Sequence, residues 1–235
     1  LIMFGNIVGR GPHFRAEADE HHLNLFGVIM GETSKGRKGS SWGHCRRMGV
    51  AVDGGWEERV ADGGLSSGEG LIHQVRDDVW KKIYNKAKGE LEDVLTEEGV
   101  KDKRFLVVES EFAQVMKVTG REGNTLSPNI RNAWDRGNLQ SMVRTSPLKA
   151  TNAYISVIGH VTVDELVRHL DSTEMANGFG NRFLWFCVKR SKCLPDGGNL
   201  QQSDLSPLIM RVHAALVGSD DVGEMRRNDE ARAIW

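Results

Sequence analysis

The chain has 235 residues, with 31 Lys and Arg against 32 Asp and Glu, a formal net charge of -1 and 39% hydrophobic residues. That length suits one large α/β domain or two small ones, and the balanced charge excludes a wholly basic nucleic-acid coat or an acidic solvating tail. No apolar run approaches the ~18 residues of a membrane span, and Cys45, Cys187 and Cys193 form no C-x-x-C pair, so a reduced, cytoplasmic setting is expected.

The chain opens at Leu1 within an apolar run and stops at Trp235 in an unfinished helical pattern, without a signal-peptide pattern; it reads as a segment of a longer chain. The apolar start (Leu1, Ile2, Met3, Phe4, Ile7, Val8) fits the end of a helix, followed by a polar loop. Residues 23–30, LNLFGVIM, are a short continuous apolar run, as expected of a strand covered on both faces of a parallel sheet. The Gly-rich basic segment GETSKGRKGSSWGHCRR follows at 31–47. Ser66 and Glu69 have capping-box spacing and predict a helix from about Gly68, with Leu71, Ile72, Val75, Val79 and Ile83 at helical intervals. Residues 85–104 are charge-rich and weakly patterned, a surface excursion.

RFLVV at 104–108 predicts a second buried strand, ending on Glu109, Ser110 and Glu111. A short helix to about Val118, a Gly-rich loop and a helix opened by Ser127-Pro128 come next. Residues 139–144 and 154–158 read as strands, the latter ending in Gly159-His160, and Thr162 with Glu165 forms a second capping box for a helix to about Asp171. FLWFCV at 183–188 is a further strand, 205–217 an amphipathic helix, and Asn228 the cap of a last one. Strands alternating with helices predict an α/β domain with a mainly parallel sheet and helices on both faces.

Four constellations carry chemistry. A Gly-rich loop between a strand and a helix wraps backbone N–H groups around phosphate oxygens, a lysine reaches the outer phosphates, and a hydroxyl holds Mg²⁺. Gly31, Thr33, Ser34, Lys35, Gly36, Arg37, Lys38, Gly39, Ser40 and Ser41 supply such a loop, although Arg37 separates the second glycine from Lys38, so Lys35 and Lys38 both qualify as the phosphate lysine. Glu109 and Glu111, two residues apart after a buried strand, point to one side if the strand continues, and suit the orientation of Mg²⁺ and of an attacking water. His160 ends an inner strand, where the ligand crevice of an open α/β sheet lies. Arg182, just before a strand, can reach a neighbouring subunit's nucleotide. Other features have simpler explanations: His13, Glu17, Glu20, His21 and His22 lack metal-ligand spacing and are expected to be solvated. Trp42, Trp56 and Trp80 are expected at partly buried positions rather than stacked on bases.

The ordered blocks GETSKGRKGSSW, GLSSGEGLIHQVRD, FLVVESEFAQVMKVTGREGNTLSPNIRNAWDRG, ISVIGHVTVDELVRHLD and NGFGNRFLWFCVKRS resemble the ATPase region of plasmid- and phage-type primase–helicase proteins, which are RecA-like P-loop ATPases. The resemblance spans nearly the whole chain and implies one RecA-like ATPase domain over 1–235. It implies a Mg²⁺-dependent ATPase acting on DNA, single-stranded in the main, as a homo-oligomer of the hexameric kind, in the replication of a mobile element. Within it Lys38 is the phosphate lysine, Ser40 and Glu109 hold Mg²⁺, Glu111 activates water, His160 senses the γ-phosphate, and Arg182 acts across a subunit boundary. Lys35, Arg37, Lys38, Arg46 and Arg47, facing only Glu32 in that stretch, offer a local basic stripe for DNA. Two other readings stay open: a phosphotransferase of nucleotide-kinase type, and a non-catalytic DNA-binding or assembly module with a decayed nucleotide site.

Overall fold

The computed structural model describes residues 1–32, 38–143, 147–170, 172–189 and 204–234. Its centre is a five-stranded sheet made of β3 (Phe26–Met30), β4 (Val60–Ala61), β7 (Arg104–Glu109), β10 (Tyr154–Val161) and β11 (Phe183–Cys187). The spatial order is β11-β3-β10-β7-β4, and every neighbouring pair is parallel. The α/β class and parallel sheet expected from the alternating pattern are therefore observed. All eight residues of β10 are buried, because helices cover the sheet on both faces and no side of the strand meets water.

Two apolar clusters mark those faces, and alternate residues of β7 divide between them. Phe105 and Val107 enter the larger cluster with α3 (Gly68–His73), α4 (Phe112–Thr119) and α5 (Leu126–Asp135). Leu106 and Val108 enter the smaller one, with α1 (Ile2–Val8), Trp42 and Met48 of α2 (Lys38–Val52), and Leu216 of α8 (Ser206–Val217). A buried polar knot docks α1: the Asn6 side chain donates to Ser156 Oγ at 3.2 Å and accepts from Trp56 Nε1 at 2.8 Å. Such satisfied polar groups fix one orientation of the helix, since any slip leaves a buried donor unpaired.

The crossovers explain where a crevice can form. From β3 the chain passes through α2, on the face of the smaller cluster, to β4 at the far edge. From β10 it returns through α6 (Val163–His169) and α7 (Ser172–Ala176) to β11, with Leu166 and Leu170 against the larger cluster. The adjacent strands β3 and β10 thus send their connections to opposite faces, which opens a crevice at their carboxyl ends.

Several sequence expectations are corrected: the strand read at 139–144 is β8 (Leu139–Ser141), which ends at Ser141 and pairs antiparallel with β9 (Leu148–Ala150). The capping residue of α3 is Ser67, whose side chain accepts from Gly70 N at 3.0 Å, while Glu69 accepts instead from Thr125 Oγ1 at 3.0 Å. That helix ends at His73, and Val79 and Ile83 lie in β5 (Val79–Asn85), paired antiparallel with β6 (Glu90–Glu97). Val79, Ile83 and Tyr84 favour extended backbone, and a register that fits both a helix and a strand was decided by pairing with β6. The supposed polar loop after α1 is a hairpin, β1 (His13–Ala16) with β2 (Asp19–His22), joined in parallel by β12 (Glu224–Met225). The second capping box is present as read: Thr162 accepts from Glu165 N at 3.2 Å, and Thr162 N donates to the Glu165 carboxylate at 3.1 Å. Asn228 likewise caps α9 (Asp229–Ile234), its side chain accepting from Ala231 N at 2.9 Å.

Candidate functional site

Strand β3 stops at Met30, and the buried Gly31 that follows donates its N–H to Val161 O at 3.2 Å, tying the ends of β3 and β10 together. Thr33, Ser34, Lys35, Gly36 and Arg37 lie outside the described residues. The chain re-enters as α2 at Lys38, so Gly39, Ser40 and Ser41 occupy the exposed first turn of a 15-residue helix. That turn carries no acidic residue. The first backbone N–H groups of a helix have no intrahelical acceptor and sit at the positive end of its dipole, which suits an anion.

Two strands away, Glu109 closes β7 and is buried, with Oε1 accepting from Leu65 N at 2.6 Å. Its other oxygen faces Gly63, where an added Cβ would lie 3.4 Å from Oε2; Gly63 also has φ +92°, a conformation that costs a residue with a Cβ far more. The turn after β4 thereby holds the carboxylate at the sheet edge. Glu111 departs from expectation. The strand ends at Glu109, Ser110 and Glu111 form a turn, and Glu111 becomes the exposed N-cap residue of α4 without a side-chain capping bond. The two acids therefore do not share one side of a continued strand. The cause is packing: Phe112 must turn inward to sit on Gly159, where a Cβ would come within 2.6 Å of its ring.

His160 is buried next to the end of β10, in register with Ile29 of β3, and Gly159 is in register with Glu109. Gly31, the start of α2, Glu109 and His160 thus share the carboxyl edge of the sheet. Arg182 does not. It lies in a short 3-10 helix, residues 180–182, ahead of β11, whose first residue Phe183 pairs with Phe26 at the start of β3. In a parallel sheet that is the edge opposite the loop.

Arg182 is also engaged there. Its Nη2 and Nε donate to the Asp135 carboxylate at 2.7 and 3.3 Å, and Nη1 donates to Gly178 O at 2.7 Å. Asp135 ends a stripe along α5 that sequence reasoning missed. Ser127 Oγ donates to Glu174 at 2.7 Å, and Arg131 Nη1 to Asn177 O at 3.0 Å, so Ser127, Arg131 and Asp135, at i, i+4 and i+8, grip the stretch from α7 through the loop to the 3-10 helix. The four-residue spacing was legible in the sequence, but the stretch that it grips was not. Arg46, counted toward a basic stripe, pairs with Asp62 at 2.6 Å and with Glu57 at 3.2 Å, and these carboxylates hold its guanidinium pKa above the usual value.

An open cavity of about 630 Å³ lies at the edge of Arg182, lined by Asp19, Trp134, Asp135 and Arg136 among others. Arg136 reaches Asp19 at 3.6 Å. Among the described residues no group of three or more His, Cys, Asp or Glu is arranged to hold a metal, and no helix is long and apolar enough to cross a membrane. Cys45 and Cys187 are free thiols.

No protein-family model and no curated protein matches the chain. Among solved structures, a candidate ATPase from Cytophaga hutchinsonii is similar with a TM-score of 0.33 and 12% identity, over 94% of this chain and 51% of that one. The chain spans about half the length of that protein, and the likeness is too distant to carry a functional inference.

Proposed function

We propose that the chain is a Mg²⁺-dependent ATPase of the RecA-like type that works on single-stranded DNA as a homo-oligomer such as a hexamer, in the manner of a replicative helicase of a mobile element. One observation carries the reading. A Gly-rich basic segment opens a long helix at the carboxyl edge of a parallel sheet, at the switch point where β3 and β10 diverge, with the buried Glu109 two strands away. The role on DNA rests on the resemblance of the ordered sequence blocks to primase–helicase proteins.

The donor set fits the nucleotide and its ion. Mg²⁺ held largely through phosphate oxygens and water needs only one or two protein oxygens, and Ser40 and Glu109 are of that kind. Bound there, Mg²⁺ would neutralise charge on the phosphates. Amides of the segment 31–41 would cradle the phosphates, with Lys38, or Lys35 from the same segment, reaching the outer ones. Glu111, exposed at the start of α4, would take a proton from the attacking water, and His160 would touch the γ-phosphate through the end of β10. Arg182, at the far edge of its own sheet, can serve only a nucleotide held by another subunit, where it would offset charge developing in the transition state. The pair with Asp135 sets the direction of its side chain.

The test is ATP hydrolysis with and without single-stranded DNA, read beside the mass in solution. Mg²⁺-dependent, DNA-stimulated turnover by an oligomer is expected. Lys38→Ala should abolish ATP binding in calorimetry, whereas Arg182→Ala should bind ATP normally and lose hydrolysis by ~10³-fold. Absence of Mg²⁺-dependent ATP binding by the unaltered protein overturns the reading in favour of a non-catalytic module.

A further inference from the structure

The β5–β6 hairpin stands apart from the central sheet as a two-stranded sheet of its own. Its register places three cross-strand pairs on one face: Trp80 with Leu95, Lys82 with Asp93, and Tyr84 with Leu91. The four apolar members are far from buried, at 57% for Trp80, 42% for Leu95, 58% for Tyr84 and 62% for Leu91. Isolated two-stranded hairpins are marginal in water, and two exposed apolar pairs flanking a charged pair on one face make a surface suited to contact. The opposite face has a smaller apolar share: Ile83 and Val94, 49% and 38% exposed, stand there across from Glu92 and Lys81, and Glu92 is occupied by Asn85 Nδ2 at 2.8 Å and by Lys88 Nζ at 2.6 Å.

We propose that this face of the hairpin docks on the same face of a second copy of the chain. The argument is self-complementarity. Rotation by a two-fold axis lying along the strands places β5 of one copy over β6 of the other. Trp80 then covers Leu95, Tyr84 covers Leu91, and Lys82 lies over Asp93, each contact occurring twice. A two-fold axis across the strands would instead stack Lys82 on Lys82, which like-charge repulsion disfavours. Of these two isologous arrangements, only the one with its axis along the strands satisfies both the apolar corners and the charged centre.

Charge also argues against nucleic acid as the occupant. Across the hairpin Lys81, Lys82, Lys86 and Lys88 are matched by Glu90, Glu92, Asp93 and Glu97, which leaves no net attraction for phosphates. The patch is smaller than a standard stable interface, so the association it supports is weak and concentration-dependent. It is independent of the nucleotide site, and contacts of any ring made through other faces survive its loss.

The test is sedimentation over a wide concentration range without nucleotide, using the whole chain. The unaltered protein should associate, and Trp80→Ala with Tyr84→Ala should move the midpoint to at least about tenfold higher concentration. Lys82→Asp and Asp93→Lys should each weaken self-association similarly, since each sets like charges face to face. An equimolar mixture of these two variants should recover association, because in the mixed pair both central contacts again join opposite charges. Recovery by mixing cannot arise from the cross-strand pair within one hairpin. The double exchange, Lys82→Asp with Asp93→Lys in one chain, should associate like the unaltered protein and serves if a single reversal fails to fold. A protein monomeric throughout, association indifferent to Trp80 and Tyr84, or folded single reversals that do not recover on mixing would each overturn the proposal.

Discussion

The carboxyl edge of the parallel sheet and the β5–β6 hairpin are built from similar side chains under opposite conditions. At the sheet edge Phe112 is wholly buried, lies on Gly159 and meets the ring of Phe183 with centroids 5.2 Å apart. On the hairpin, Trp80 and Tyr84 stand mostly in solvent. The number of layers makes the difference. A strand between two helical faces has no wet side, whereas a hairpin covered by no layer among the described elements exposes both. Rigidity follows from that contrast: the sheet edge can hold Glu109 and His160 in place, while the hairpin has its apolar face left over for contact with another surface.

Mutation can break this comparison. The largest effect is expected at the sheet edge, where Phe112→Ala should lower stability by ~3–5 kcal/mol, because the cavity beside Gly159 and Phe183 cannot collapse; urea unfolding measures it. An effect below ~1 kcal/mol would mean that the edge is no better packed than the hairpin. Next comes the polar knot under α1. Asn6→Ala leaves Trp56 Nε1 without its buried acceptor and should cost ~1–3 kcal/mol by the same assay.

A third expectation concerns pH. The His22 side chain is only 5% exposed, neither ring nitrogen makes a well-formed hydrogen bond, and the Glu20 carboxylate lies 3.8 Å away. Burial, then Arg10 and His13, push its pKa below the ordinary 6.5, outweighing the opposing pull of Glu20. A histidine with a depressed folded pKa binds fewer protons folded than unfolded, so its contribution is intact above 6.5 and declines as pH falls from there toward the folded value. Thermal unfolding between pH 7 and 5 should show this loss, and His22→Phe should flatten it. The histidine cluster, expected to be solvated, is thus partly interior because β1 and β2 pair and fold His22 against Tyr154, with ring centroids 6.4 Å apart. The smallest effect is expected on the hairpin, where Trp80→Ala in dilute solution should change stability by less than ~1 kcal/mol, since the side chain stands mostly in solvent across from Leu95.

Legibility divides along the same line. The runs at 23–30, 104–108 and 154–158 announced buried strands because a doubly covered strand is mostly apolar, its few polar residues such as Ser156 being hydrogen-bonded; β7 and β10 include the second and third runs, and β3 takes up the first from Phe26 onward. Thr162 with Glu165 announced a helix start because capping is local chemistry within four residues. Trp80 was misplaced because a propensity for the interior says nothing about whether another layer arrives to form one.

By itself the sequence determined the alternation of buried strands and helices along the central sheet and the caps at Thr162 and Asn228, which depend on neighbours a few residues apart, and the parallel class followed from that alternation. The order β11-β3-β10-β7-β4 was decided only in the tertiary structure, because it depends on which crossover packs on which face. So was the separation of Arg182 from the loop edge: proximity to a strand was legible, but which end of the sheet that strand's start occupies was not. The end of β7 at Glu109 was a tertiary decision too, made by the close approach of Phe112 to Gly159 on a strand about 50 residues away in the chain.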